Sequence, residues 1–97
     1  MVVGLWKIEF HLPYAQNLKE KRSILQSVVT RSRNRFNVSI AELDFQDKWQ
    51  RSVVGVAYIN SDKQTAGDVF TSIREILEET GNAVVIKENV SFYSLEE

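Results

Sequence analysis

The sequence predicts an α+β fold in which a four-stranded antiparallel sheet carries two helices on one face. Four segments are apolar at alternate positions or apolar throughout, as strands are, and two segments repeat their apolar residues at helical spacing. These segments follow each other in the order β-α-β-β-α-β, which is the ferredoxin-like arrangement. A length of 97 residues suits one hydrophobic core, so residues 1–97 are expected to form a single domain.

The first strand is predicted from Val2 to Leu12. Apolar side chains such as Trp6 fall on one parity of this segment and charged ones such as Lys7 on the other, which is the pattern of a strand with one buried face. Pro13 ends the strand, because proline has no N–H to donate to a sheet.

The first helix is predicted from Leu18 to about Asn34. Asn17 and Glu20 have the spacing of a capping box, and an apolar run follows them. The apolar residues of this segment recur along one stripe of the helix. Lys21 points almost along that stripe, so its side chain would have to reach out past the end of the sheet.

The middle of the chain is predicted to be a hairpin. The alternation in residues 36–45 changes phase after Ile40, which indicates a β-bulge. Residues 46–50 are polar and charged apart from Trp49 and form the turn. Residues 51–60 are apolar on both parities, which is typical of a central strand.

The second half ends with a helix and a strand. Ser61 or Asp62 is expected to cap the second helix at its N-terminus, and Gly81 to end it. Residues 82–95 form the last predicted strand, in which Asn89 is a candidate break.

Composition and charge limit the classes of protein. The absence of cysteine excludes disulfides, thiolate metal sites and thiol nucleophiles. Residues 1–12 lack the features of a signal peptide, and no apolar run approaches the about 18 residues of a membrane span. We therefore expect a soluble, cytoplasmic protein with no membrane partner.

The net charge of −1 is unevenly distributed along the chain. Residues 1–51 hold nine Lys and Arg against five Asp and Glu, whereas residues 52–97 hold three against eight. This asymmetry favours either a basic face for an acidic partner or attraction between two oppositely charged halves or copies.

Few residues could support catalysis. His11 is the only histidine, and the chain has neither a nucleophile-elbow motif nor a Gly-rich phosphate loop. Glu42 and Asp44 are expected to share a strand face, where they could bind a divalent metal with His11, but ordinary solvated carboxylates explain them better. We predict no catalytic residue, metal site, cofactor or small-molecule substrate, and hence a non-enzymatic protein.

The predicted fold resembles that of the RNA-recognition motif, but the third strand lacks the base-stacking site of that motif. Aligned at Arg51, the signature of that motif would place its base-stacking aromatic residues at Val53 and Gly55. Val53, Gly55 and Ala57 instead predict a flat apolar strip on the open face of the sheet, suited to a homodimer or another partner. In the alternative interpretation, long neighbours such as Lys7 cover this strip.

The first helix carries most of the cations that could bind nucleic acid. Cations are favoured at the C-terminus of a helix but not at its N-terminus, so the helix dipole does not explain the N-terminal group. A phosphate-binding face and a solvated face paired with the acidic second half both remain open. The candidate nucleic-acid-binding residues are Lys19, Lys21, Arg22, Arg31, Arg33, Arg35 and Arg51.

Trp49 lies in a charged turn, where a tryptophan is unusual. It is a candidate partner-binding residue together with the strip on the third strand, because tryptophan and arginine concentrate at binding hot spots. Alternatively, its ring folds back over the hairpin.

Two stretches, "LKEKRSIL" and "RNRFNVSIAELDFQDKWQR", resemble the YlxP-like family of small uncharacterised bacterial proteins. The resemblance covers nearly the whole chain. It implies a ferredoxin-like fold and no established activity. Members of this family are often encoded beside translation-initiation and ribosome-maturation factors, which implies a role with RNA or the ribosome. Our first hypothesis is therefore a non-enzymatic RNA- or ribosome-associated protein; the alternative is a homodimeric protein-interaction or regulatory module that uses the hairpin and the open sheet face.

Overall fold

The computed structural model describes residues 1–95 and has the predicted ferredoxin-like architecture. The four strands form one antiparallel sheet in the order β2-β3-β1-β4, so the first and third strands are central as expected. The elements are β1 (Val2–His11), α1 (Leu18–Arg35), β2 (Val38–Asp44), β3 (Arg51–Asn60), α2 (Lys63–Gly81) and β4 (Val84–Ser94).

The hydrophobic core lies between the sheet and the two helices. The alternation of β1 is confirmed, since Trp6, Ile8 and Phe10 are buried while the residues between them face the open side of the sheet. The Trp6 ring stacks on Phe70 of α2 with centroids 5.4 Å apart. Its indole N–H donates to Glu88 of β4 at 2.9 Å, which satisfies the polar atom of a buried aromatic side chain.

The N-terminus of α1 has the predicted cap. The Asn17 side chain accepts a hydrogen bond from the Glu20 N–H at 2.8 Å. The Glu20 carboxylate in turn accepts from the N–H of Gln16, one residue before the position that the capping box predicts. The helix continues through Arg35, one residue beyond the predicted end.

At the N-terminus of α2, Asp62 is the cap. Its carboxylate accepts hydrogen bonds from the backbone N–H and the side-chain hydroxyl of Thr65, both at 2.8 Å. These bonds favour the ionised form and hold the pKa of Asp62 below its ordinary value.

Gly81 does not end α2 in the way that the sequence indicated. The left-handed residue is Asn82, with φ 49° and ψ 37°, and Gly81 is the last helical residue. A Cβ on Gly81 would lie 2.9 Å from both Ile24 Cγ2 and Leu12 Cδ2. The glycine therefore permits a close approach of α2 to α1 and to the segment after β1.

The irregularities of the two edge strands differ in place from the prediction. The bulge of β2 lies between Glu42 and Asp44, later than the expected change after Ile40. The register of β4 shifts between Val85 and Lys87, opposite Phe10 and Glu9, but the strand runs without a break over Val84–Ser94, so the predicted break near Asn89 was wrong. Because the β2 bulge comes late, alternation persists through Glu42, whose side chain faces the helices.

Candidate nucleic-acid interface

Lys21 is buried, with 1% of its side chain exposed, and this corrects its assignment as a phosphate-binding residue. Its ammonium group donates to the backbone carbonyls of Phe45, at 2.5 Å, and of Lys48. It also lies 2.9 Å from a carboxylate oxygen of Glu42. Three acceptors therefore use the three N–H groups of the ammonium, and none is left for a phosphate.

Glu42 completes this buried network from β2. Its Oε2 atom accepts from the hydroxyl of Ser52, at 2.6 Å, as well as from Lys21. Ser52 is fully buried on β3 beside the bulge. We call Lys21, Glu42, Ser52 and the carbonyls of Phe45 and Lys48 the lysine clasp.

The clasp holds the β2–β3 hairpin turn in a defined shape. Phe45 has a positive φ of 60°, which is uncommon for a residue other than glycine and costs about 1–2 kcal/mol. Its N–H is capped by the Asp44 side chain at 2.7 Å, and its carbonyl accepts from the Lys48 N–H at 2.9 Å as well as from Lys21. The buried ammonium thus stabilises a backbone conformation that the turn alone would not favour.

Gln50 also holds the hairpin against the segment between β1 and α1. The Gln50 side chain donates to the Ala15 carbonyl at 3.0 Å, and the Gln50 carbonyl accepts from the Leu12 N–H at 2.9 Å. Side chains from the start of α1 and from the hairpin are consequently brought to one end of the molecule. We call this surface the basic end; it carries the exposed side chains of Lys19, Arg22, Lys48 and Trp49, and the carboxylates of Glu20 and Asp47 are exposed in the same two segments.

The three arginines near the end of α1 divide between two flanks, as their helical spacing predicted. Arg33 lies on the flank beside β2 and donates to the Ile40 carbonyl at 3.3 Å. Arg31 lies on the flank beside α2, where it donates to the Thr80 hydroxyl at 2.5 Å and approaches Glu79 at 3.7 Å.

Only one of these arginines continues the flank that carries Arg22. Arg33 lies eleven residues further along the helix, about 16 Å along its axis. Arg35 stacks on Phe36, with its guanidinium 5.1 Å from the ring centroid. Arg31 and Arg35 are therefore separate from the basic end.

Arg51 faces the open side of the sheet. Its guanidinium donates to Glu9 at 3.0 and 2.5 Å and lies 4.3 Å from the centroid of the Phe45 ring. The ion pair leaves Arg51 with little net charge to offer a phosphate, although its flat surface remains half exposed.

A small cleft of about 260 Å³ opens beside Arg51 at the hairpin. Trp49 lies at this cleft with 45% of its surface exposed. The cleft is lined by His11, Phe45, Lys48, Trp49, Gln50 and Arg51.

The prediction that Glu42 and Asp44 share a strand face was wrong. The bulge between them pairs Glu42 with the inward Val54 and Asp44 with Val53, so the two carboxylates lie on opposite faces of the sheet. Within residues 1–95, no group of three His, Asp or Glu side chains is close enough together to hold a metal ion.

The open face of the sheet is apolar, but its exposed residues are not those that the sequence singled out. Val53 is 4% exposed, among neighbours that include Lys7 and Asp44, and Gly55 lies beneath the side chain of Leu43. Val53, Gly55 and Ala57 are therefore the floor of this surface. The side chains that stand exposed, by 42–60%, are Leu5, Leu43, Ile59 and Tyr93.

The apolar face includes a shallow groove of about 410 Å³. Its walls include Leu5, Leu43 and Tyr93, contributed by three different strands. This groove and the exposed side chains of Leu5, Leu43, Ile59 and Tyr93 form one surface, which we call the sheet groove.

The lysine clasp itself was not predicted. Lys21 was recognised as a cation on an apolar stripe, but its partner was not. The available signal was that Glu42 also occupies an inward position, if the alternation of β2 is continued past Ile40. A cation and an anion at two core-facing positions favour a buried pair.

The comparisons with known proteins agree on family and fold. A profile of the family described as "Protein of unknown function (DUF503)" matches residues 3–90. "Uncharacterized protein YlxP" of Bacillus subtilis (strain 168) is 42% identical over 62 residues, which are 64% of this chain and 67% of that protein. No helix within residues 1–95 is long and apolar enough to cross a membrane.

Two solved structures share this fold at low sequence identity. The designed protein LFR1 1 with ferredoxin fold superposes with a TM-score of 0.63 at 17% identity, over 100% of this chain and 96% of that one. SnoaB, a cofactor-independent oxygenase from Streptomyces nogalater, superposes with a TM-score of 0.52 at 12% identity, over 99% and 94% of the two chains. Such low identity shows the shared fold alone. The profile match over residues 3–90 shows that the chain belongs to the DUF503 family, whose relative in Bacillus subtilis is YlxP.

Proposed function

We propose that this protein is a cytoplasmic, non-enzymatic protein that associates with RNA or the ribosome through its basic end. One observation carries the proposal. Lys21 is buried in the clasp, whereas its sequence neighbours Lys19 and Arg22 are exposed at the start of the helix that Lys21 joins to the hairpin bearing Trp49. The clasp thereby assembles a surface with cations and an aromatic ring, which is a combination that suits nucleic acid.

The position of Lys19 and Arg22 supports binding to phosphate. The N-terminus of a helix carries a partial positive charge, so cations in its first turns are unfavourable for folding. The same partial charge adds to the side-chain charges in attracting an anion. Neither residue forms an ion pair with a carboxylate in the part of the chain that the structure describes.

The acidic second half does little to neutralise the first helix. Among the described residues, the contact between Arg31 and Glu79 at 3.7 Å is the one ion pair that joins α1 to α2. An exposed pair at this distance contributes about 0–1 kcal/mol. This weakens the alternative in which the basic helix is only a solvated face paired with acidic residues of the same chain.

The test is cosedimentation with ribosomal subunits at low and moderate salt. We expect wild-type protein to sediment with a subunit at low salt and to dissociate as salt rises, because phosphate contacts release counterions. The variant Lys19→Ala/Arg22→Ala is expected to remain in the supernatant.

The control variant is Lys63→Ala/Lys87→Ala, which removes the same charge at exposed positions of α2 and β4. It is expected to sediment like wild type. Equal loss in both variants would reduce the effect to net charge, and no sedimentation of wild-type protein at either salt would contradict the proposal.

A second candidate function, a homodimeric interaction module, is favoured by the sheet groove. Leu5, Leu43 and Tyr93 leave large apolar areas exposed on one face, and contiguous surfaces of this kind mark interaction sites. A second copy suits the surface, because a two-fold axis through this face brings the same apolar side chains of two copies together. Lys19 and Arg22 lie on α1, on the helix side of the sheet, and therefore remain accessible in such a dimer.

Sedimentation velocity over a range of protein concentrations tests this candidate. Leu43→Lys is expected to convert dimers to monomers, since it places a charge in the groove. Ile86→Lys is the matched control, because Ile86 on β4 is equally exposed but does not line the groove. A wild-type monomer at all concentrations would contradict the dimer.

A further inference from the structure

We propose that the cleft beside Trp49 binds an unstacked base of single-stranded RNA. This inference rests on the proposed function and deepens it, because it names the class of RNA that the basic end would select. A surface of lysines and arginines alone would not distinguish single strands from duplexes. The cleft beside Trp49 provides flat stacking surfaces, which can distinguish a single strand from a duplex.

The walls of the cleft offer flat surfaces for stacking. The indole of Trp49 is 45% exposed, and the Arg51 guanidinium lies over the Phe45 ring at 4.3 Å. Proteins that recognise single-stranded RNA stack unpaired bases on aromatic rings and on the planes of arginine side chains. The cleft has a volume of about 260 Å³. A base must leave the stack of a duplex before it can enter a protein pocket, so an unpaired base enters at the lower cost.

Arg51 is prepared for stacking rather than for phosphate binding. Its guanidinium donates two hydrogen bonds to the Glu9 carboxylate, at 3.0 and 2.5 Å, which fix the plane of the guanidinium and offset its charge. Phe45 supports the other side of that plane and is itself held by the lysine clasp through its carbonyl. The stacking surface therefore exists before a ligand binds, which lowers the entropic cost of binding.

The cations are placed to follow the backbone of the same strand. Lys48 lines the cleft, and its carbonyl is bonded to Lys21 of α1, between the exposed Lys19 and Arg22. A base in the cleft would leave a flanking phosphate within reach of the Lys48 ammonium, in the turn that Lys21 joins to the first turns of α1. This arrangement of a stacking platform beside a basic track is the common design of single-strand binding sites.

Trp49 also supplies the signal for a test. The chain has two tryptophans, and Trp6 is 2% exposed in the core, so a ligand that reaches the cleft should change the fluorescence of Trp49 alone. The probes are a short oligouridylate and a duplex RNA of the same length, titrated at one low salt concentration. We expect tighter binding of the single strand, with quenching of fluorescence.

Three variants test how much stacking on Trp49 contributes to binding. Trp49→Leu should weaken binding of the oligouridylate about 5- to 150-fold, which is the loss of one stacked base, whereas Trp49→Phe should retain most of the affinity. Tyr93→Leu removes an exposed aromatic ring at the sheet groove and should leave affinity unchanged. Binding by the variants can be followed by anisotropy of labelled RNA, which does not depend on Trp49.

The outcomes distinguish this inference from the proposed function. If Trp49→Leu binds like wild type while Lys19→Ala/Arg22→Ala does not, the basic end binds RNA and the base cleft is wrong. Equal affinity for single strand and duplex would also overturn the cleft. If wild-type protein binds neither RNA, and ribosomal subunits do not bind it either, both proposals fail.

Discussion

Lys21 and its neighbours Lys19 and Arg22 belong to one basic motif but lie in opposite surroundings. Lys21 is 1% exposed and its ammonium has three protein acceptors, whereas Lys19 and Arg22 are exposed and form no ion pair among the described residues. The difference follows from helical geometry, since residue 21 points along the stripe that faces the sheet and residues 19 and 22 do not. A run of cations in a sequence can therefore combine a structural residue with ligand-binding ones.

The energetic consequences of the two environments differ in kind. A buried ammonium loses its hydration and is stable only while its partners remain in place, so removal of one partner is costly. An exposed cation exchanges protein contacts for water at almost no cost. The lysine clasp should therefore govern stability and the shape of the hairpin, and the basic end should govern binding.

The largest expected effect is that of Lys21→Met. Methionine fills much of the same volume but leaves Glu42 without its cation and the two hairpin carbonyls without a donor. We expect a loss of about 2–4 kcal/mol of unfolding free energy, below the full value for a buried pair because Glu42 is 21% exposed. Urea denaturation measures it, with Lys19→Met as the matched control. Equal midpoints for the two variants would show that Lys21 is not a structural residue.

A double-mutant cycle sharpens the assignment of the partner. Glu42→Leu should destabilise wild-type protein, because the buried ammonium then lacks a carboxylate. In the Lys21→Met background the same change should raise stability, because it removes an unpaired carboxylate, and the coupling should be about 1–3 kcal/mol. Additive losses would mean that the 2.9 Å contact contributes nothing.

A smaller effect is expected at Ser52. Its hydroxyl donates to Glu42 at 2.6 Å from a fully buried position. Ser52→Ala removes that donor without removing a charge, so we expect a loss of about 1 kcal/mol, measured by urea denaturation. In the Glu42→Leu background the Ser52 hydroxyl has no carboxylate to donate to. Ser52→Ala should therefore lower the unfolding free energy by clearly less in that background. A loss that stays the same in both backgrounds would place Ser52 outside the clasp.

The smallest effect on stability is expected at the basic end itself. Lys19→Met and Arg22→Met should each change the unfolding free energy by less than about 0.5 kcal/mol, since neither side chain is buried or paired. Thermal unfolding at two salt concentrations measures this. A loss comparable to that of Ser52→Ala would mean that these cations also support the fold.

The sequence predicted the order of elements and the caps of both helices well, because periodicity and capping are local properties. The position of the β2 bulge was not predictable to the residue, since it depends on how Glu42 and Asp44 pair with another strand. The same pairing decides that Glu42 faces inward, which is why its contact with Lys21 was missed. Recognition of Lys21 on the apolar stripe was correct, but its burial depends on the hairpin that covers it.

The exposure of side chains on the open face of the sheet was also not predictable from the sequence. Alternation correctly placed Val53 and Gly55 on the open face, but it could not show that Leu43 of β2 covers Gly55. Exposure of a strand residue depends on neighbours that are distant in sequence. Trp49, which the sequence indicates as a partner-binding residue, is 45% exposed in the turn, and its role stays a prediction.

The most direct test of the division within the basic motif is the salt dependence of oligouridylate binding. The slope of log affinity against log salt counts the phosphates that the protein contacts. We predict that the slope falls by about 0.7 for Lys19→Met and again for Arg22→Met, as expected for one contact each with a single strand. For Lys21→Met/Glu42→Leu, kept at a temperature where it is folded, the slope should equal that of wild type. An unchanged slope for Lys19→Met and Arg22→Met, or a reduced slope for the Lys21 variant, would contradict the account.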